Sequence, residues 1–179
     1  MKRLALLALS LVIFVVPATS QPAQWKTKLA ESIPLLGHRN WILIVDSAYP
    51  LQSSPGVETI ETNTGQLEVV QSVLDALNHS IHVRPDVFMD AELPFVSDQD
   101  APGASAYRTQ IAALLHPYKL QSLPHEQIIS RIDEAGKTFH ILVLKTTMTI
   151  PYTSVFIQLN CKYWSDDAEA RLRSKMKTP

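Results

Sequence analysis

Five consecutive apolar residues, Trp41-Ile42-Leu43-Ile44-Val45, constrain this chain more than any other stretch of it. Gly37-His38 before them and Asp46 after them bound the run. A strand with one wet face alternates apolar and polar residues, so an unbroken run of bulky and β-branched side chains predicts a strand buried on both faces. Such strands lie inside parallel or mixed sheets that carry helices on either side.

The remainder of the chain supplies those helices and further strands. Gln21 to Ser32 reads as a short amphipathic lead-in, with Trp25, Leu29 and Ile33 at helical spacing. Val57 to Thr62 alternates as a second strand, and Thr64 stands where it can cap a helix with the stripe Leu67, Val70, Val73, Leu74 and Leu77. A third strand falls around Val83 to Met89, where Pro85 argues for an edge or an early position. Residues 97–105 read as loop, Ala106 to Leu115 as a helix stopped near Pro117, and Pro124-His125-Glu126 as the head of a helix reaching Gly136. Phe139 to Leu144 and Val155 to Leu159 are strands, separated by a turn over Thr146 to Pro151. Ser165 or Asp166 caps a last helix whose acids come first and whose Arg171, Arg173 and Lys175 come last, as the helix dipole favours. This alternation predicts a single three-layer α/β domain with a central mixed or parallel sheet over residues 21–164, and a helical extension over 165–179.

The first twenty residues stand apart from that domain. Lys2 and Arg3 precede an apolar stretch from Leu4 to Val16, and Pro17-Ala18-Thr19-Ser20 follows with small residues at the cleavage positions. That order is the design of a secretory signal peptide, and the stretch is shorter than the roughly 20 residues a helix needs to span a bilayer. Export to the periplasm or the medium is the expectation, with no stable membrane insertion after cleavage. About 160 residues remain, the size of one domain. A net charge of −1 offers a polyanion no basic surface, so nucleic acid is not an expected partner. The lone Cys161 rules out an intramolecular disulfide, and its place in a strand pattern predicts a buried, inert thiol.

Polar residues gather at the ends of the apolar strands. In open α/β sheets the carboxyl end of a strand projects side chains into the crevice where ligands bind, which singles out Asp46. His38 lies eight residues earlier, at the other end of the same run, so the pair can meet only through a folded-back loop or a neighbouring subunit. Pro151-Tyr152-Thr153-Ser154 leads into the last strand. His79 and His82, with Asp86 and Asp90 nearby, have no recognised metal-ligand spacing and read as solvated surface. No phosphate loop, nucleophile elbow or Cys-His pairing is present in the sequence.

Gly37-His38, an apolar strand and Asp46-Ser47-Ala48-Tyr49-Pro50 together resemble the start of the D-ribose pyranase and L-fucose mutarotase family. The end resembles it too, with a strand, a short turn, Tyr152-Thr153-Ser154 and a closing apolar strand. That resemblance implies cofactor-free interconversion of the cyclic forms of a monosaccharide. It implies His38 as the catalytic histidine, Asp46 as its partner carboxylate, Tyr152 and Ser154 in the sugar-binding motif, and His125 as a second histidine of the substrate site. It also implies a homo-oligomer, a pentamer or decamer, whose adjacent subunits share each site, and no metal. The chemistry suits the residue types: ring opening needs a base for the anomeric hydroxyl and an acid for the ring oxygen, and imidazole, with an unperturbed pKa of about 6.5, serves both. Ser154 stands where the family has Asn, and Thr146-Thr147-Met148 lacks its Gly-Glu. Two readings therefore follow, a mutarotase or pyranase and a non-catalytic carbohydrate-binding or scaffold relative.

Overall fold

Neighbouring residues of a strand point to opposite faces, so the apolar run at Trp41 serves two cores at once. It forms β1 (Trp41–Val45), buried at every position. With β2 (Val57–Glu61), β3 (Val83–Asp90), β4 (Leu120–Leu123), β5 (Ile141–Lys145) and β6 (Val155–Cys161) it builds one six-stranded sheet in the order β2-β5-β1-β6-β3-β4. Strands β1 to β5 all run the same way, and β6 alone is reversed, antiparallel to both β1 and β3. The structure, a computed structural model, describes residues 24–176. The export segment expected at residues 1–20 lies outside them.

One face of the sheet packs under three helices, α1 (Gln24–Ser32), α2 (Gln66–His79) and α3 (Ala104–Leu115). Trp25, Leu29, Val70, Leu74, Leu77, Tyr107 and Ile111 meet Ile42, Ile44, Leu142, Leu144 and Ile157 there. The other face packs under one helix, α4 (His125–Gly136), whose Ile128 and Ile132 meet Trp41, Leu43, Phe88, Val143 and Phe156. Each such side chain contributes roughly 1.5–3 kcal/mol when fully buried, so these two cores carry the fold. The result is the three-layer α/β domain with a mixed sheet that the sequence predicts. A last helix, α5 (Asp166–Met176), buries none of its residues. It is held at its start by an ion pair from Arg84 to Asp166 at 3.0 Å, and Ser165 Oγ caps it by accepting from the Ala168 amide at 3.1 Å. Among the described residues no helix is long and apolar enough to cross a membrane.

The structure departs from the sequence reading in four places. Thr64 does not cap α2. Gly65 takes that position with an extended backbone, while the Thr64 hydroxyl donates to the Thr62 carbonyl at 2.9 Å and accepts from the Trp25 indole at 3.2 Å, so that it ties α1 to the start of α2. Strand β4 was not expected: four residues with no apolar alternation, Leu-Gln-Ser-Leu, give no strand signal. Cys161 is only half-buried, at the last position of β6, where the burial of that strand falls away. The surface reading of the His79 to Asp90 segment fails for Asp90, which is 2% exposed, and for His82 and Asp86, both half-buried. His82 has its Nε2 at 2.9 Å from the Leu36 carbonyl, and Asp86 is bonded to Arg84 and Asn160. Pro85 sits as expected, early in β3: β4 pairs with that strand only from Val87 onward, so the missing N–H costs no ladder bond on that side.

Candidate functional site

Because five strands are parallel and β6 is reversed, the carboxyl ends of β1, β3 and β4 and the amino end of β6 share one edge of the sheet. A cleft of about 480 Å³ opens there, lined by Asp46 to Pro50, Asp90, His125, Thr149 to Tyr152 and Ser154. Four of the five residues singled out in the sequence, Asp46, His125, Tyr152 and Ser154, meet in it. His38 does not. It is exposed, on the turn before β1, and at about 3.3 Å per residue the strand holds it roughly 17 Å or more from Asp46.

Each lining residue has a local cause. Asp46 ends β1 and turns the chain, its Oδ1 accepting from the Ala48 amide at 2.8 Å in an Asx turn. The turn is stitched to the next strand's loop where the Ser47 amide donates to the Met148 carbonyl at 2.8 Å. Tyr49 lies buried beneath, its hydroxyl accepting from Gln52 Nε2 at 2.9 Å. Burial, with the charges of Asp133 and Asp46, pushes that hydroxyl up to about 12, so it keeps its proton throughout the neutral range.

His125 opens α4 directly after β4. Its backbone N–H, one of the helix's unpaired amino-terminal donors, is taken by both Glu92 carboxylate oxygens at 3.0 and 3.1 Å. Its ring Nδ1 lies 3.0 Å from Asp90 Oδ1, and its ring meets that of Tyr152 edge to face, with centroids 5.7 Å apart. Asp90 ends β3, and its Oδ2 is the one buried side-chain oxygen without a partner among the described residues. Burial holds the Asp90 carboxyl above the usual range; the hydrogen bond and charge of His125 oppose that shift, and Glu92 and Asp46 add to it. Leaving a buried polar atom unpaired costs about 1–3 kcal/mol, which this site bears.

Tyr152 occupies left-handed backbone at φ 59, a conformation that costs a bulky residue on the order of 1–3 kcal/mol and persists only where its surroundings enforce it. They do. The buried carbonyl of Thr153 accepts from the Tyr107 hydroxyl at 2.8 Å and from Gln66 Nε2, and the Thr153 hydroxyl donates to the Ile150 carbonyl at 2.7 Å. Gln66 opens α2 and Tyr107 belongs to α3, so two helices from the other side of the sheet grip the turn that presents Tyr152 and Ser154. Burial raises the Tyr107 hydroxyl well above its ordinary value and keeps it a donor.

Sequence reasoning missed Asp90, Gln66 and Tyr107. One signal pointed to Asp90: like Asp46, it is an acid at the carboxyl end of an apolar strand. Gln66 and Tyr107 sit inside helical stripes and carry no such mark. Among the described residues no group of three or more His, Cys, Asp or Glu could hold a metal ion.

A model of the RbsD / FucU transport protein family matches residues 22–161. The chain belongs to that family. Two solved structures agree in fold with this RbsD / FucU member. Bacillus subtilis RbsD complexed with D-ribose is 19% identical, with a TM-score of 0.51 over 78% of this chain and 96% of that one. FucU from Bifidobacterium longum is 15% identical, with a TM-score of 0.51 over 73% of this chain and 90% of that one. No curated protein is matched by the sequence.

Proposed function

We propose that this RbsD / FucU family member interconverts the cyclic forms of a monosaccharide in the cleft at the strand ends, by acid–base catalysis without a cofactor. The observation that carries the reading is the convergence of Asp46, His125, Tyr152 and Ser154 on one cleft, together with family membership. The B. subtilis relative's complex with D-ribose supports a free sugar as the ligand. Tyr152 offers a ring edge and a hydroxyl to the sugar, Ser154 a short hydroxyl, and Asp46 a carboxylate with one oxygen outside its Asx turn.

His38 enters this scheme from a neighbouring copy, as the acid–base partner of Asp46 in the copy whose cleft it reaches. Its exposure and its distance from its own cleft support a head-to-tail assembly, the arrangement that closes into rings. The residues at 1–20 support a further part of the reading, that the protein works outside the cytoplasm.

Magnetisation-exchange NMR on D-ribose, L-fucose and a panel of other free sugars tests the reaction. Faster exchange between anomeric or ring forms, lost in His38→Ala with the assembly intact, is the expected result. Mixing His38→Ala with Asp46→Asn subunits then restores activity at about a quarter of the sites if adjacent copies share each one. A second reading, a sugar binder without activity, is favoured by Ser154, which is shorter than the Asn of the family motif. It is the conclusion if sugars bind by calorimetry and none exchanges faster.

A further inference from the structure

The cleft holds a pair of groups to which the family motif gives no role together. Asp90 and His125 come from the ends of adjacent strands, β3 and β4, brought side by side by parallel pairing. Asp90 is buried and Oδ1 lies 3.0 Å from His125 Nδ1, while the other ring nitrogen, Nε2, has no partner among the described residues. The His125 side chain is 33% exposed and lines the cleft, so the partnered nitrogen is inside and the bare one is on the open side. Its helix-head amide is fixed independently by Glu92, which leaves the ring only rotation about its own side-chain bonds, and the Tyr152 ring limits that.

We propose that Asp90 is a positioning residue that accepts the Nδ1 proton of His125, so that His125 presents a lone pair at Nε2 to the cleft as its proton acceptor. This rests on the ring-opening function above and completes its proton traffic. Nε2 takes the proton of the anomeric hydroxyl as C1 becomes a carbonyl. The bond from C1 to the ring oxygen breaks, and its electron pair goes to that oxygen. The ring oxygen takes a proton in turn from His38 of the neighbouring copy. Reclosure on the other face reverses each transfer, so atoms, charges and electrons balance without any co-reactant. Two histidines in unlike settings thus divide the work: one is buried on one side and oriented by a carboxylate, the other is exposed and delivered from outside.

The tautomer is directly measurable. In ¹⁵N spectra of uniformly labelled full-length protein above pH 7, with His125 assigned through His125→Gln, the expected pattern is a protonated Nδ1 and a bare Nε2. In Asp90→Asn the side-chain amide donates to Nδ1 instead. The proton then moves to Nε2, and sugar exchange falls by at least about 100-fold while sugar affinity stays within a few-fold, because a misplaced proton removes the acceptor without removing the binding site. A wild-type His125 with its proton on Nε2 overturns the proposal. So does an Asp90→Asn variant that keeps both the tautomer and the rate within about threefold of wild type. Should that variant fail to fold, the wild-type spectrum alone decides. Should no sugar exchange faster with the wild type, the ring-opening function fails, and the same spectrum still decides whether Asp90 sets His125.

Discussion

The two ends of β1 differ in kind. At its carboxyl end Asp46 and Asp90 line one cleft with His125, whose ring Asp90 meets and whose amide Glu92 holds, with Asp90 wholly buried and a neighbouring turn held in left-handed backbone. At its amino end a hollow of about 510 Å³ is lined by Arg39, Trp41, Arg131, Phe139 and Gln158 among others. The arginines there are exposed and lie over aromatic rings, Arg39 over Phe139 and Arg131 over Phe88, each at 5.7 Å. Both ends carry charge, but only one buries it. Water around an exposed guanidinium screens its neighbours, whereas a desolvated carboxylate beside an imidazole couples the protonation of both. Burial, more than the number of charged residues, separates a proton-transfer site from a polar surface.

The sharpest break of this comparison is to remove charge at each end in turn. Asp46→Asn is expected to lower sugar exchange by about 10²–10⁴-fold, whereas Arg131→Ala leaves it within about twofold, as a surface change remote from the cleft should. Exchange NMR on both variants checks this. A comparable loss in Arg131→Ala would show that the two ends act together.

Next in size is the grip on the Tyr152 turn. Tyr107→Phe deletes one of two bonds to the buried Thr153 carbonyl and should cost about 1 kcal/mol in urea unfolding. Exchange should fall several-fold as the turn loosens. The strain itself gives a smaller effect of opposite sign. Tyr152→Gly suits φ 59 and is expected to leave stability unchanged or raise it by about 1 kcal/mol, while sugar binding by calorimetry weakens at least tenfold. A destabilised glycine variant would mean that packing of the ring, and not strain, dominates there.

The smallest effect is in pH. The Asp90 carboxyl is raised by burial against the pull of His125, and Glu92 and Asp46 face it as well. The folded protein therefore holds that proton more tightly than the unfolded chain. Stability from this group is fully present below the unfolded value of about 4 and declines as pH rises to the raised value. Thermal melts across that window should show the decline in wild type and its absence in Asp90→Asn.

Much of the fold and part of the site were legible in the sequence, for different reasons. The buried strand at Trp41, the stripes of α2 and α4 and the closing strand are local patterns, and local patterns survive folding. Asp46, Tyr152 and Ser154 were found because they flank such strands. Asp90 was passed over because the companions considered for it were its sequence neighbours His79, His82 and Asp86, while its partner His125 lies 35 residues on. Only the pairing of β3 with β4 brings the two together, and β4 is the strand whose four residues give no signal. His38 shows the converse: its motif spacing places it near Asp46 in sequence, and a rigid strand keeps the two apart.

The reversal of β6 has a thermodynamic consequence. It delivers the Tyr152 turn to the same edge as residues from the ends of β1, β3 and β4, so the cleft has no wall that belongs to a single hairpin or helix. Loosening any one strand dismantles it. A sugar held there binds only the fully assembled molecule, and its binding energy opposes global unfolding instead of protecting one loop. Hydrogen exchange should register the ligand as uniform added protection across both cores, rising with ligand concentration.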